Sequence, residues 1–279
     1  MKIKANAKIN LTLDIVGKRQ DGYHLIDSVM QSVSLCDIVD VKKGDNISVK
    51  CGDSNIDGKS NIAYKAAEKF FEFTDISSGA EITIEKNIPL SSGMGGGSAD
   101  AAAVIVALDK IYNTNLSSDK LYKIALSVGA DVPFCINGGT ARVRGIGENV
   151  EQLPNMCDCG IVLIKEGEKL STADMYRKID AKPYMSPCTD KMIKGIENGD
   201  LKLIAENLSN TFLSVCDISV IKNDMLTTNQ LAVSLSGSGP TVFAIYPNFE
   251  TAQTAAEKLS DLGYNPIVVQ QTNNGLSFE

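Results

Sequence analysis

The segment Pro89-Leu90-Ser91-Ser92-Gly93-Met94-Gly95-Gly96-Gly97-Ser98-Ala99-Asp100 constrains this chain more than any other stretch. Four glycines fall within five positions, and an apolar run follows at once. Glycine lets a backbone turn tightly and approach another group with no Cβ in the way. Ala101, Ile105, Leu108 and Tyr112 repeat at helical spacing, so Ser98–Tyr112 is predicted as a helix. The first N–H groups of a helix lack internal partners, and the dipole adds positive character there. A glycine loop opening onto such a helix suits a polyphosphate. Ser98 fits either an N-cap or a hydroxyl offered to phosphate or Mg2+. A plain flexible turn is the competing reading.

Two other nucleotide patterns fail on inspection. Gly58-Lys59-Ser60 resembles the end of a G-x-x-x-x-G-K-[ST] loop, but Asp53 stands where its first glycine belongs. Gly93-x-Gly95-x-x-Ser98 approaches a dinucleotide fingerprint, yet the next segment, Ser117–Ser127, reads as a helix and not as a second parallel strand.

The rest of the chain is a mixture of strands and helices. Ile9, Leu11, Leu13 and Ile15 alternate with polar residues, which predicts a strand with one buried face and Lys8, Asn10 and Thr12 on the other. Asp21-Gly22 marks a turn. Strands are expected at 26–35, 38–41, 47–51, 80–86 and 140–144, and a helix at 61–73. The composition changes near Leu153–Cys159, placing a boundary between domains at 1–155 and 156–279. Beyond it come a strand (160–165), several helices (172–227), strands at 231–235 and 241–246, a helix (249–262) and a strand (266–271). With the extra helices set aside, the order is β-α-β-β-α-β, the split βαβ plan. A second glycine loop, Leu235-Ser236-Gly237-Ser238-Gly239-Pro240-Thr241, joins two of these strands. It suits a tight connection or backbone contact with a ligand.

Composition narrows the chemistry. The net charge of −7 argues against nucleic-acid binding, which needs a basic face. No apolar run approaches the roughly 18–20 residues of a membrane span. The amino end lacks the apolar core of a signal peptide, so a cytoplasmic protein is expected. The seven cysteines are odd in number and scattered; Cys157-Asp158-Cys159 alone is a weak metal signal. His24 is the only histidine, which rules out a two-histidine zinc site.

Three ordered segments, Lys8–Leu11, Pro89–Asp100 and Leu235–Thr241, resemble the motifs of the GHMP kinases, and the resemblance spans nearly the whole chain. It implies an α+β fold: an amino-terminal α+β domain with the glycine-rich phosphate loop, and a ferredoxin-like carboxy-terminal domain, with the active site between them. Ala7–Leu11, Arg19–His24 and Gly129–Phe134 tighten it to the branch that phosphorylates a hydroxyl of a cytidine-diphosphate-linked polyol in the non-mevalonate isoprenoid pathway. The resemblance implies ATP and Mg2+ as cofactors, with Pro89, Leu90, Ser91, Ser92, Gly93, Met94, Gly95, Gly96, Gly97, Ser98, Ala99 and Asn61 around the nucleotide. Asn61 reads equally as the N-cap of its helix.

Asp131 alone reads equally as a cap for a helix beginning Val132-Pro133 or as a general base; the resemblance assigns it the base. Lys8 alone is a solvated strand lysine; the resemblance makes it the active-site ammonium. Asn10, Tyr23 and His24 match acceptor-binding residues, the last two as a cytosine clamp. Thr172 and Tyr176 align loosely with a further aromatic contact, and Gly237, Ser238 and Gly239 are expected beside the acceptor. Met94 stands where the family commonly has leucine. Asp100 lies close to the loop, either as a metal ligand or as an acid complementing the helix dipole. The metal ligands are unassigned. The partner implied is a small molecule, and monomer and homodimer are equally compatible with the sequence.

Overall fold

The computed structural model describes residues 1–53, 56–167, 171–181 and 188–279. The elements in chain order are β1 (Lys2–Lys18), β2 (His24–Gly44), β3 (Ser48–Lys50), α1 (Ile62–Thr74), β4 (Gly79–Glu85), α2 (Gly96–Tyr112), α3 (Ser118–Val128), α4 (Val132–Asn137), β5 (Thr140–Gly145) and β6 (Asn149–Gln152). There follow β7 (Gly160–Lys165), α5 (Thr172–Ile179), α6 (Thr189–Glu197), α7 (Leu201–Glu206), β8 (Ser209–Asn210), α8 (Ser219–Leu226), β9 (Ala232–Leu235), β10 (Thr241–Tyr246), α9 (Phe249–Asp261), β11 (Ile267–Val269) and β12 (Leu276–Phe278).

β1 and β2 form a long antiparallel hairpin at the centre of the first sheet. β2 pairs β5 along Ile26–Gln31 and β4 along Ile38–Gly44, so one strand serves two neighbours on the same edge. Two separate strands were expected here. β2 runs on through Asp37 because that carboxylate is fully buried and accepts from the backbone N–H groups of Asn87 and Ile88 at 2.6 and 2.8 Å.

The alternation expected in β1 is broken in a way that matters. Irregularities in the pairing fall between Asn6 and Lys8, between Asn10 and Thr12, and between Ile15 and Gly17. A bulge shifts the faces of a strand. Ala7, Ile9 and Leu11 therefore pack into a core with Ile161, Leu163, Phe243 and Ile245 of the second sheet. Ile3, Ala5, Leu13 and Ile15 join the larger core around α1 and α2. Lys8, Asn10 and Thr12 are buried too, so β1 has no solvated face of the kind predicted.

The second sheet has the order β11-β7-β10-β9, with every pair of neighbours antiparallel. α9 packs on it, entered through a capping box in which Asn248 and Thr251 satisfy each other's backbone N–H groups. This is the ferredoxin-like plan. Two short strands from the second half leave it: β8 lies parallel to β1 at Thr12–Leu13, and β12 pairs with Ile3–Ala5. α2 is buried on nearly all sides rather than along one stripe. Its alanines let β1, β2, α1, α3 and α4 approach it together. Among the described residues, no helix is long and apolar enough to cross a membrane.

Candidate active site

A cleft of about 1160 Å³ runs from the glycine loop to the start of β2. The loop that precedes α2 forms one wall. Gly95 is the N-cap of α2 with φ +72°, and no side chain caps this end, so the N–H groups of the first turn are left for a ligand. Gly93, at φ +80°, is packed against the second glycine loop; a Cβ there would stand 2.4 Å from the Ser236 carbonyl oxygen. The two loops are also joined by Ser236 Oγ donating to Gly93 O (3.0 Å) and Thr241 N donating to Ser92 O (3.2 Å). Segments more than 140 residues apart thus make one surface.

Lys8 emerges from β1 between two bulges and runs under the loop, its backbone N–H donating to Met94 O at 2.9 Å. Its ammonium lies 2.8 Å from Asn10 Oδ1 and 3.3 Å from Asp131 Oδ2. Asp131 immediately precedes α4 but makes no side-chain cap hydrogen bond. Its carboxylate is instead 34% exposed and opens onto the cleft beside Lys8. Of the two readings open in the sequence, the capping bond is not formed. The ammonium at this distance offers the carboxylate a charged neighbour on one side and leaves it open to the cleft on the other.

Asn10 is a junction. Its Oδ1 accepts from Lys8 and from Gly237 N (3.0 Å), while Nδ2 donates to Ser28 Oγ (2.9 Å). Gly237 is held from the other side by Asn210, whose Nδ2 donates to Gly237 O (2.9 Å) and Leu235 O (2.7 Å). Neither Ser28 nor Asn210 was expected at the site. No local spacing announces them, because each meets its partner across the fold.

Pro89 to Gly93 and Gly95 to Ser98 line the cleft, as do Asn61, Gly237 and Ser238. Met94 and Ala99 belong to the site only by sequence position: both side chains are buried in the two cores. Gly239 sits behind the cleft wall against Leu235. Asn61 caps α1, its Oδ1 accepting from Ala63 N at 2.9 Å, and faces the cleft as well.

Behind the phosphate loop lies a buried charge cluster that the sequence reading missed. Lys86 Nζ is 2.5 Å from Asp37 Oδ2 and 2.7 Å from Asp100 Oδ2. Asp100 Oδ1 has no partner. Burial pushes the Asp100 carboxyl up to about 7; Lys86 opposes this and the Asp37 charge adds to it. Among the described residues, no group of three or more His, Cys, Asp or Glu is placed to hold a metal ion.

At the far end of the cleft, His24 stacks on Tyr176 with ring centroids 4.4 Å apart and planes 16° apart. Phe212 braces Tyr176 edge-on at 5.1 Å. Burial pushes the Tyr176 phenol up to about 12, so it stays protonated. Tyr23 is exposed at the rim. Thr172 opens α5, and its side chain lies outside the described residues.

A phosphate loop, a lysine–carboxylate pair and an aromatic end in one cleft describe a transferase acting on two small ligands. Family models agree: one for the GHMP kinase N-terminal domain matches residues 61–139, and one for the GHMP kinase C-terminal domain matches residues 192–265. A 4-diphosphocytidyl-2-C-methyl-D-erythritol kinase of Clostridium botulinum (strain Eklund 17B) is 44% identical over 269 residues, covering 94% of this chain and 96% of that protein. One from Clostridium tetani is 42% identical over 280 residues, covering 98% and 100%.

The chain belongs to the GHMP kinase family.

This GHMP kinase is also similar to the crystal structure of a 4-(cytidine 5'-diphospho)-2C-methyl-D-erythritol kinase. The TM-score is 0.82 at 27% identity, over 97% of this chain and 99% of that one. A homoserine kinase from Cytophaga hutchinsonii, 22% identical with TM-score 0.73 over 99% and 96% of the two chains, shares the GHMP kinase fold.

Proposed function

We propose that this GHMP kinase transfers the γ-phosphate of ATP to a hydroxyl of 4-diphosphocytidyl-2-C-methyl-D-erythritol. The products are the 2-phosphate and ADP, in the non-mevalonate route to isoprenoid precursors. The observation that carries the reading is the Lys8–Asp131 pair at 3.3 Å, between the phosphate loop and the His24–Tyr176 stack in one cleft. Relatives more than 40% identical over nearly the whole chain bear the name of that kinase.

In this reading, the first turn of α2 and the loop from Pro89 to Ser98 bind the ATP phosphates, with Asn61 near the base. Tyr23, His24 and Tyr176 hold the cytosine, and Asn10, Thr172 and Gly237 to Gly239 line the path of the polyol. The Asp131 carboxylate takes the proton of the acceptor hydroxyl as its oxygen bonds to the γ-phosphorus. The bond from that phosphorus to the β-phosphate oxygen breaks, and ADP leaves. Lys8 orients Asp131 and offsets charge on the transferring group. Mg2+ would enter with ATP and offset charge on its phosphates. Residues 1–155 and 156–279 act as the two halves of a cytoplasmic enzyme, a monomer or a homodimer.

The test is a coupled ADP-release assay with 4-diphosphocytidyl-2-C-methyl-D-erythritol, beside mevalonate, phosphomevalonate, homoserine and galactose. Turnover confined to the cytidylyl acceptor is expected. Turnover with another acceptor would keep the phosphate site and remove the cytosine clamp. ATP binding with no turnover on any acceptor would make the chain a nucleotide-binding module.

A further inference from the structure

The acceptor end of the cleft holds a contact that phosphoryl transfer itself does not use. His24 Nε2 lies 2.7 Å from Asp180 Oδ1, and Lys18 Nζ lies 2.5 Å from the other oxygen of that carboxylate. Lys18 ends β1, His24 opens β2 opposite it in register, and Asp180 is the C-cap of α5. The carboxylate thus ties the hairpin to a helix more than 150 residues away in sequence. Tyr176, from the same helix, covers one face of the imidazole. The His24 side chain is only 6% exposed, so stacking and the carboxylate together fix the plane and rotation of the ring.

A carboxylate can only accept. Hydrogen bonds from Lys18 first, then from His24, hold the Asp180 carboxyl below the usual carboxylate range. The proton between His24 and Asp180 therefore sits on Nε2. In a neutral imidazole the other nitrogen, Nδ1, then carries a lone pair and no hydrogen. Cytosine presents an amine at C4, a donor. Uracil presents a carbonyl there, and a lone pair facing a carbonyl leaves two desolvated acceptors unpaired.

We propose that Asp180 is a positioning residue that fixes His24 as the Nε2–H tautomer, so that Nδ1 accepts from the C4 amine of a cytosine and rejects the C4 carbonyl of a uracil. The inference rests on the cytosine-clamp reading given above. It adds to that reading a residue that acts through His24 and a physical basis for choosing between two pyrimidines. A site built to accept one hydrogen bond rejects the analogue lacking the donor by about tenfold to several hundredfold when the loss is one buried pair.

The single histidine makes the proposal directly observable. Labelling the full-length protein with 15N-histidine gives one imidazole, whose two nitrogens separate clearly by NMR according to whether each carries hydrogen. At neutral pH the expected spectrum has a protonated Nε2 and a bare Nδ1. Asp180→Ala, and Asp180→Asn as a variant of unchanged size, should shift the ring toward a mixture of tautomers. Steady-state kinetics with the cytidylyl acceptor and its uridylyl analogue should show the wild-type preference falling at least fivefold in both variants. The loss should fall on KM for the cytidylyl acceptor and not on KM for ATP.

A wild-type ring protonated at Nδ1, alone or with Nε2, would overturn the assignment. So would variants that keep both the tautomer and the cytidylyl preference. A change of tautomer with no change of preference would sink the specificity role. A different pattern separates out the earlier reading: a wild-type Nε2–H ring with equal turnover of both acceptors would refute the cytosine clamp itself, and this use of the tautomer with it.

Discussion

At the scale of single residues, the Lys8–Asp131 pair is built from a strand and the entrance of a helix. Lys8 cannot relax away from Asp131, because Asn10 Oδ1 holds its ammonium at 2.8 Å and the loop covers its stem. Asp131 forgoes the capping bond its position would allow, and its carboxylate faces the cleft beside Lys8 instead. Replacing Asp131 with Asn keeps the shape and removes the proton acceptor. Turnover should fall by about 10²–10⁴-fold, the usual contribution of a general base. ATP affinity, measured by calorimetry, should change by less than about threefold, because the phosphate loop does not contact this carboxylate in the proposed scheme. Equal turnover in mutant and wild type would remove Asp131 from its role. These residues were legible early, since Ala7–Leu11 and Gly129–Phe134 are short continuous motifs. Asn210 and Ser28 were not. Each is an ordinary polar residue until the fold supplies its partner.

At the scale of elements, Asp37 on β2, Lys86 just after β4 and Asp100 on α2 lock three segments together beneath the phosphate loop. The cluster also ties stability to pH. Asp100 titrates near 7 in the folded protein, against about 3.9 in an unfolded chain. The folded state therefore binds the proton more tightly than the unfolded state. This stabilising contribution is complete below about pH 4 and is lost as pH rises through about 7. Asp100→Asn removes the titration. Its thermal midpoint, followed from pH 5 to 8, should decline less steeply than that of the wild type, the difference being at most about 1.4 kcal/mol per pH unit. Parallel curves would show that Asp100 does not titrate in this window. The helix that carries Asp100 was predicted from its spacing, and it begins two residues earlier than expected, at Gly96. Its burial on nearly all sides was not legible. A row of alanines states only that neighbours can come close, not how many do.

At the scale of the whole molecule, two sheets meet at a pair of glycine loops. The join is tightened by Asn210, which sits on β8 in the first sheet and holds the loop between β9 and β10 in the second. Its amide is fully buried and fully used: Nδ2 donates to two carbonyls, and Oδ1 accepts from Phe212 N at 2.9 Å. Phe212 in turn braces the His24–Tyr176 stack, so one side chain touches the supports of both ends of the cleft. Asn210→Ala leaves three buried backbone groups unpaired and should cost about 2–4 kcal/mol of stability. A lower melting temperature should accompany reduced turnover per folded molecule, because Gly237 no longer sets Asn10 and Lys8. A melting temperature within 1 °C or so of wild type, about 0.3 kcal/mol for a chain of this size, would show that the join does not depend on this residue.

The sequence by itself determined the local conformations and the chemistry at hand. Glycines at 93 to 97 before a helical run specify a tight loop opening onto a helix, and the order of strands and helices after residue 160 specifies a split βαβ sheet. These follow from periodicity and backbone freedom, which act between near neighbours. Tertiary structure alone decided which polar groups became a site. The bulges of β1 put Ala7, Ile9 and Leu11 into one core and Leu13 and Ile15 into the other, and so left the strand buried on both faces from Ala7 to Ile15, where one solvated face was expected. The carboxylates of Asp37, Asp100 and Asp180 found Lys86, Lys18 and His24 across distances of 14 to 162 residues. Charge and hydrogen-bond complementarity depend on distance in space, and only the packed chain fixes that.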